Sequence, residues 1–252
     1  MPHYTTSQIA QAACIHPNTV RFYEEVGFIT KPARRPNGYR VYTELHIRQV
    51  ALIRIAMRAE VLQCGLRKKA VEIVQLCALP DMDAAIAAAK EYALIIEAER
   101  ARAKSAIRTV EAQLESGGVS DAPPVSLTRR EAAIKLGITT DTLRNWELNG
   151  LIEVGRMANG YRRYDRAAME RLNIIRTLRC ANYSLSAILR LMNKLSNADT
   201  VEVANALNTP EADEDVLSAC DRLLYALSLA RRDAKLILRT LKDMKKDFST
   251  LQ

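Results

Sequence analysis

The sequence predicts a mainly α-helical protein in which one structural unit occurs twice and each copy ends in a long helix. Of its 252 residues, 48% are hydrophobic but only 5% are aromatic, a composition that favours helices over bulky all-β cores. The same motifs occur twice in the same order, and two segments carry seven-residue apolar repeats. These three observations predict two small domains, each followed by a coiled-coil helix.

The internal repeat is visible in two motifs. T-V-R-F-Y-E-E-V-G-F-I at 19–29 recurs as T-L-R-N-W-E-L-N-G-L-I at 142–152, an offset of 123 residues. N-G-Y-R-V-Y at 37–42 recurs as N-G-Y-R-R-Y at 159–164, an offset of 122 residues. Paired identities in the same order indicate an internal duplication, with one residue lost in the loop between the motifs.

Each copy begins with the pattern of a helix-turn-helix. Thr5 and Thr128 open capping boxes (T-x-x-Q and T-x-x-E) that predict a first short helix. About four residues after that helix, His16 and Thr139 supply the N-cap of a second one. Two short helices joined by so short a turn predict a helix-turn-helix in each copy.

A basic hairpin and two more helices complete each copy. The basic stretch after the second helix closes on Asn-Gly and Tyr-Arg-x-Tyr, which predicts a β-hairpin and therefore a winged helix-turn-helix. Thr43 and Asp165 then cap a third helix, and a fourth follows Gly65 or Ser184.

Apolar residues at alternating spacings of three and four predict a helix-pairing seam in each long helix. The first seam comprises Ile86, Ala89, Ala93, Ile96, Arg100, Ala103, Ile107, Val110 and Leu114. The second comprises Val216, Cys220, Leu223, Leu227, Ala230, Ala234, Ile237, Leu241, Met244, Phe248 and Leu251.

The predicted domain boundaries follow from these elements. They are a first winged domain at 1–78, a first long helix at 81–116, a flexible linker at 117–125, a second winged domain at 126–197 and a second long helix at 211–249. The linker reads S-G-G-V-S-D-A-P-P, a flexible composition.

The charge is concentrated in the two winged domains. Residues 1–76 hold 11 Lys and Arg against 5 Asp and Glu, and residues 125–196 hold 13 against 6. The other two segments are mildly acidic, so the net charge of +8 comes from two basic surfaces suited to a polyanion.

The basic residues suggest how such a surface contacts DNA. Arg21 and Arg144 lie near the middle of the second helix of each helix-turn-helix, which enters the major groove. The hairpin arginines are placed to contact the phosphate backbone or the adjacent minor groove; they are Arg34, Arg35, Arg40, Arg156, Arg162 and Arg163. Tyr42 and Tyr164 are predicted to pack in the domain core.

These motifs resemble the DNA-binding domain of the MerR family of bacterial transcription regulators, in two copies that cover nearly the whole chain. The resemblance implies promoter binding at a pseudo-palindrome, activation by DNA distortion, RNA polymerase as a partner and an antiparallel long-helix pair. The candidate DNA contacts are Thr19, Arg21, Tyr23, Arg34, Arg35, Asn37, Tyr39 and Arg40 in the first copy, and Thr142, Arg144, Trp146, Arg156, Asn159, Tyr161, Arg162 and Arg163 in the second.

The fusion of two units departs from the usual family pattern of one unit per chain, and resembles a smaller tandem-domain subgroup. The two long helices pair either within one chain, giving a pseudo-dimer that reads an asymmetric site, or between two chains. Because the second copy has Asn145-Trp146 in place of two aromatics, we expect a different base preference there.

No cofactor or metal site is predicted. Five scattered cysteines without a C-x-x-C pair indicate reduced thiols, and three histidines add too few ligands for a zinc or copper site. A small organic effector is the expected alternative, with Tyr92, Trp146 and Tyr225 as candidate linings.

Two other functions remain open at this point: an architectural, excisionase-like DNA-bending protein, and a ligand-sequestering protein on the same scaffold. Catalysis is not expected, because no nucleophile triad, carboxylate pair or phosphate-cradling loop is present. The sequence also predicts no membrane span and no secretory signal, and hence a cytoplasmic, nucleoid-associated protein.

Overall fold

The computed structural model describes residues 3–58, 65–79, 81–116, 126–155, 162–197, 201–210 and 219–248. These residues are mainly helical and divide into two compact units. Unit 1 comprises Met1–Ala98 and Ala226–Gln252, and unit 2 comprises Glu99–Tyr225. No helix among the described residues is both long enough and apolar enough to cross a membrane.

Unit 1 begins with the predicted helix-turn-helix. Helices α1 (Thr6–Ala12) and α2 (Pro17–Glu25) are joined by a short turn. The capping box is formed, with the Thr5 amide donating to Gln8 Oε1 at 2.8 Å. The His16 ring caps α2 by accepting the Asn18 amide at 3.2 Å. The local sequence signals thus set both helix starts.

The first predicted hairpin is also present. Strands β1 (Ala33–Arg34) and β2 (Arg40–Val41) pair antiparallel. Tyr42 follows directly and bridges back to Tyr4, and its ring is fully buried, as predicted. The hairpin is therefore anchored to the start of the domain through its second strand.

Helices α3 (Glu44–Ala56) and α4 (Leu66–Ala78) pack together and supply much of the unit 1 core. The side chains of this core are apolar and almost fully buried; they include Ile9, Val20, Val50, Leu52, Ile53, Ile73 and Val74. Burial of these side chains is the main source of stability for so small a domain.

Two long helices run through both units. Helix α5 spans Met82–Glu115 and α11 spans Leu223–Phe248, so each begins in one unit and ends in the other. Within unit 1 they lie antiparallel: Asp83 pairs with Lys245 at 2.6 Å, and Glu97 pairs with Arg231 at 2.5 Å.

Most described positions of the predicted seams are buried. The exceptions are partly exposed: Ala93, Arg100, Leu114 and Phe248. Val216 and Leu251 lie outside the described residues, as does the side chain of Cys220.

Unit 2 repeats the order of elements seen in unit 1. Its helices are α6 (Arg129–Leu136), α7 (Thr140–Leu148), α8 (Arg166–Cys180) and α9 (Leu185–Asn197). The predicted caps are again formed by Thr128, Thr139 and Asp165. The tip of the second predicted hairpin (156–161) and the predicted linker (117–125) lie outside the described residues.

The segment before α11 differs from the prediction. The sequence predicts the second long helix at 211–249; residues 211–218 lie outside the described residues, a 3₁₀ turn follows at Ala219–Arg222, and α11 begins at Leu223. Asp221 in this turn is buried and accepts hydrogen bonds from the hydroxyls of Ser184 and Ser186. This polar anchor on α9 holds the chain in a turn where the apolar repeat alone predicts continuing helix.

A short helix before that turn was not predicted. Helix α10 (Val203–Asn208) packs against α9. The buried guanidinium of Arg190 donates to the backbone oxygens of Ala206 at 2.7 Å and Asp221 at 3.1 Å. Six residues are too few to show a helical period, so only the tertiary contact specifies this helix.

Unit 1 carries a buried histidine that caps α3. The Thr43 amide donates to His46 Nδ1 at 3.0 Å, so the ring proton lies on Nε2, which contacts the Thr30 carbonyl oxygen at 3.1 Å. Burial lowers the pKa of His46 below its ordinary value of 6.5. The neutral ring is therefore the form that the folded unit holds.

We expect unit 1 to lose stability as the pH falls below the ordinary histidine pKa of 6.5. Below pH 6.5 the unfolded chain binds a proton at His46 that the folded unit resists, so the free energy of unfolding decreases until the pH reaches the lowered folded pKa. Urea unfolding of His46→Gln and of the exposed control His3→Gln measures this. A pH dependence unchanged by His46→Gln would contradict it.

Candidate nucleic-acid interface

Helix α2 presents a polar and aromatic face to solvent. Asn18, Arg21 and Phe22 are exposed, and the Phe22 side chain is 52% exposed. Arg21 Nη1 donates to Asn18 Oδ1 at 3.1 Å, which holds the guanidinium beside the helix on its exposed side. Thr19 and Tyr23 are half-buried. Arg21 is thus the predicted contact on α2 that is most accessible to a ligand.

The tip of the first hairpin is an ordered turn. The Arg35 amide donates to the Tyr39 carbonyl oxygen, and the Gly38 amide to the Arg35 carbonyl oxygen, both at 2.8 Å. Gly38 adopts a φ of 82°, a left-handed conformation that glycine takes without strain. Arg35, Asn37 and Tyr39 are consequently exposed at the tip, Tyr39 to 72%.

Glu24, near the end of α2, ties the hairpin to the helix. Its carboxylate accepts Arg40 Nε at 2.5 Å and lies 3.8 Å from Arg34 Nη2. The Glu24 side chain is only 10% exposed, so this pair is shielded from water. Arg40, which the sequence predicts as a DNA contact, is held by Glu24 and positions the hairpin relative to α2.

Helix α7 of unit 2 presents the corresponding face. Arg144 and Asn145 are exposed, and Thr142 is half-buried. The Thr142 hydroxyl lies 2.8 Å from that of Thr139, so it takes part in the helix cap. Arg144 is therefore displayed as Arg21 is, but Asn145 stands where unit 1 has Phe22.

Glu147 forms a larger version of the Glu24 contact. Its carboxylate, only 4% exposed, accepts Arg129 Nη2 at 2.7 Å and Arg162 Nη1 at 2.5 Å. The Tyr164 hydroxyl donates to the same carboxylate, and burial followed by this hydrogen bond raises the pKa of Tyr164. Arg162 is thus held as Arg40 is, and Tyr164 is buried as predicted.

Several predicted site residues lie away from the exposed face. Trp146, predicted as a DNA contact and as a ligand lining, is only 4% exposed, and its indole packs inside unit 2. Tyr92 in unit 1 is fully buried, and Tyr225 in unit 2 is 57% exposed. Arg163 is half-buried, and Arg156, Asn159 and Tyr161 lie outside the described residues.

An arginine missed at the sequence level braces the helix-turn-helix turn. Arg54 on α3 donates to the Ala13 carbonyl oxygen in unit 1. Arg176, 122 residues later on α8, lies beside Gly137 in the corresponding turn of unit 2. Because the two arginines are separated by the repeat offset, the sequence could have identified them as a pair. The same signal could have identified Glu24 and Glu147.

A cleft of about 560 Å³ lies beside α7 in unit 2. Its lining combines the helix face with the end of α8; it includes Asp141, Thr142, Asn145, Trp146, Arg176, Arg179 and Cys180. Among the described residues, no three His, Cys, Asp or Glu side chains are grouped closely enough to hold a metal ion.

Comparison with known proteins matches these two winged regions to one family. Residues 5–42 match the model of the MerR family regulatory protein, and residues 127–195 match the model of the MerR HTH family regulatory protein. The matches fall on α1 to the hairpin in unit 1 and on α6 to α9 in unit 2.

Similar curated proteins are HTH-type transcriptional regulators. The regulator CueR of Salmonella typhi is 38% identical over 61 residues, which cover 23% of this chain and 44% of CueR. CueR of Escherichia coli O157:H7 is 42% identical over 50 residues, covering 20% and 37%. An uncharacterized HTH-type regulator of Synechocystis is 38% identical over 52 residues, covering 21% and 38%.

The chain thus spans less than half the length of these relatives. No solved structure matches it significantly. The family-model matches lie in the winged regions.

We expect Glu147→Gln to destabilise unit 2. The substitution leaves Arg129 and Arg162 without a carboxylate partner, and charged hydrogen bonds of this kind contribute about 2 kcal/mol each. The measurement is the free energy of urea unfolding, with the exposed Glu153→Gln as the matched control. Equal losses in the two variants would show that the Glu147 contact does not hold the hairpin.

Proposed function

We propose that the chain is a sequence-specific, DNA-binding transcription regulator of the MerR type. The observation that carries this proposal is the matched display of Arg21 on α2 and Arg144 on α7, each exposed on the second helix of its helix-turn-helix. The family matches over both regions support it.

Each winged region would contact one half of a DNA site. The second helix of a helix-turn-helix lies in the major groove, where an arginine donates two hydrogen bonds to a guanine or binds phosphate. The exposed tip residues Arg35, Asn37 and Tyr39 would then reach the flanking backbone or minor groove. Glu24 and Glu147 would set the spacing between the helix and hairpin contacts.

The two readers differ in the side chains that they offer to the bases. Unit 1 exposes Phe22 where unit 2 exposes Asn145. An aromatic ring packs against a thymine methyl group, whereas an asparagine amide pairs with adenine. The target would therefore be an asymmetric site, read in one orientation.

One chain would supply both readers as a pseudo-dimer. Within unit 1, α5 and α11 already lie antiparallel through Asp83–Lys245 and Glu97–Arg231. Seam residues that pair inside the chain would not be available to a second copy. Tethering the two readers also raises the effective concentration of the second to about millimolar.

The remaining parts of the proposal follow the family resemblance. The regulator would act in the cytoplasm, distort promoter DNA so that RNA polymerase can engage it, and respond to an organic effector rather than a metal. The exposed arginines in both units favour this function over ligand sequestration, which has no use for a basic face on a DNA-binding motif.

We expect Arg21→Ala and Arg144→Ala each to weaken DNA binding by about 1–3 kcal/mol, and to do so in opposite halves of the footprint, because each removes one base or phosphate contact. Footprinting on the DNA upstream of the protein's own gene, at two salt concentrations, measures the loss of binding. The binding is expected to depend on salt because the protein releases counterions from the DNA. Lys90→Ala, an exposed α5 position, is the control.

A footprint that either arginine variant leaves unchanged would exclude that unit as a reader. Salt-independent binding would contradict the whole proposal. Protection of DNA repeats like those of recombination attachment sites, outside any promoter, would instead indicate the architectural, excisionase-like protein.

We also expect the free protein to be a monomer and to occupy its site as one chain, because its long helices pair internally. Analytical ultracentrifugation of the protein alone and of its DNA complex measures the stoichiometry. Two chains per site, dissociating together, would show that the helices pair between chains.

A further inference from the structure

Each long helix ends against the third helix of a winged domain, and the two ends are built differently. In unit 1, Asp247 near the end of α11 pairs with Arg48 on α3 at 2.7 Å. The Phe248 ring lies 5.6 Å from the Arg48 guanidinium carbon, in a cation–π contact. An aromatic ring and an ion pair thus close this end of unit 1.

Among the described residues, the corresponding end in unit 2 forms neither contact. Leu114 is the last position of the first seam, as Phe248 is the last described position of the second, and Gln113 precedes it where Asp247 precedes Phe248. Arg48 corresponds to Glu170 at the repeat offset of 122 residues. A smaller side chain, with no ion pair beside it, leaves a cavity among the described residues at this end.

A cavity of about 380 Å³ occupies the unit 2 end. Leu114, Ile174 and Leu195 form its apolar wall, and Gln113, Glu170 and Arg171 contribute polar groups. This volume lies in the range of about 300–1,000 Å³ that small-molecule pockets in proteins occupy. The Leu114 side chain is 38% exposed, so the apolar wall is accessible to a ligand.

The polar groups of the cavity require a hydrogen-bond donor. Gln113 Oε1 is buried and has no hydrogen-bond partner among the described residues, which is costly for an amide oxygen. Glu170 is exposed and forms no ion pair with any residue that the structure describes. Arg171 donates to the Ser196 hydroxyl at 2.7 Å, so its guanidinium is directed toward that side chain.

We infer that this cavity binds a small amphipathic amine. The ammonium group donates to Gln113 Oε1 and pairs with Glu170, and the apolar part lies against Leu114, Ile174 and Leu195. In unit 1, the Phe248 ring supplies the corresponding apolar group and the Asp247–Arg48 pair supplies the corresponding ion pair. Of the two ends, only the one in unit 2 therefore takes a ligand.

The cavity joins the end of α5 to α8 and α9 of the second winged domain. A ligand here changes how firmly that domain is held to its long helix. The role of this cavity as an effector site rests on the proposed function, but the binding of an amine in it does not.

The test uses benzylamine as the probe and benzyl alcohol as its uncharged counterpart, titrated into the full-length protein without DNA. We expect benzylamine to shift the amide NMR signals of Gln113, Glu170 and Ile174, and to bind about tenfold more tightly than benzyl alcohol. Leu114→Phe, which introduces the ring that fills the unit 1 end, should weaken benzylamine binding at least about tenfold.

Two further variants make the test decisive. Leu94→Phe, the same change at an exposed position of α5, should leave binding unaltered. Glu170→Gln, also at an exposed position, should reduce benzylamine binding to the level of benzyl alcohol. Absence of benzylamine binding, equal binding of the two probes, or full binding by Leu114→Phe would each overturn the inference.

Failure of this inference is distinguishable from failure of the proposed function. A protein that gives the salt-dependent footprint but binds no amine is a regulator without this site. A protein that binds benzylamine with the expected variant pattern but gives no footprint retains the site and loses the proposed function.

Discussion

The contact between a glutamate at the end of each second helix and the arginine of the following hairpin strand organises both winged regions. Glu24 holds Arg40, and Glu147 holds Arg162 together with Arg129 and Tyr164. Because both carboxylates are largely shielded from water, each contact holds the segment that carries Arg40 or Arg162 against the helix. The exposed face of each unit depends on this geometry.

The same contact divides the basic residues into two groups with different tasks. Arg40 and Arg162 neutralise a carboxylate inside the protein, so they are unavailable as free charges for a polyanion. Arg21, Arg35 and Arg144 remain exposed. A count of basic residues overstates the charge available to a polyanion, because some of that charge stabilises the winged regions themselves.

Much of the fold could be predicted because its signals are local. Capping residues such as Thr5, Thr128 and Asp165 start helices at the expected positions, and Asn37-Gly38 turns the first hairpin. Features that depend on contacts distant in sequence could not be predicted. The Arg190 bonds that hold α10, and the Asp221 anchor that delays α11, join residues 16 to 37 positions apart.

The candidate site follows the same rule. Arg21 and Arg144 were identified because they recur within a repeated motif, and both are exposed. The burial of Trp146 was not predicted, because a tryptophan on a short amphipathic helix fits either face until its neighbours are known. The cavity beside Leu114 was not predicted, because it forms only where the end of α5 contacts helices that are distant in sequence.

The discontinuous composition of unit 1 has a consequence for how the protein is made. Arg48 pairs with Asp247, 199 residues further along the chain, so unit 1 cannot complete its fold until α11 has been synthesised. Closing so large a loop slows folding, and meanwhile the apolar stripe of α5 that α11 covers stays open to other chains. A truncated product lacking α11 would expose that stripe permanently, which makes degradation or chaperone capture the expected fate of incomplete chains.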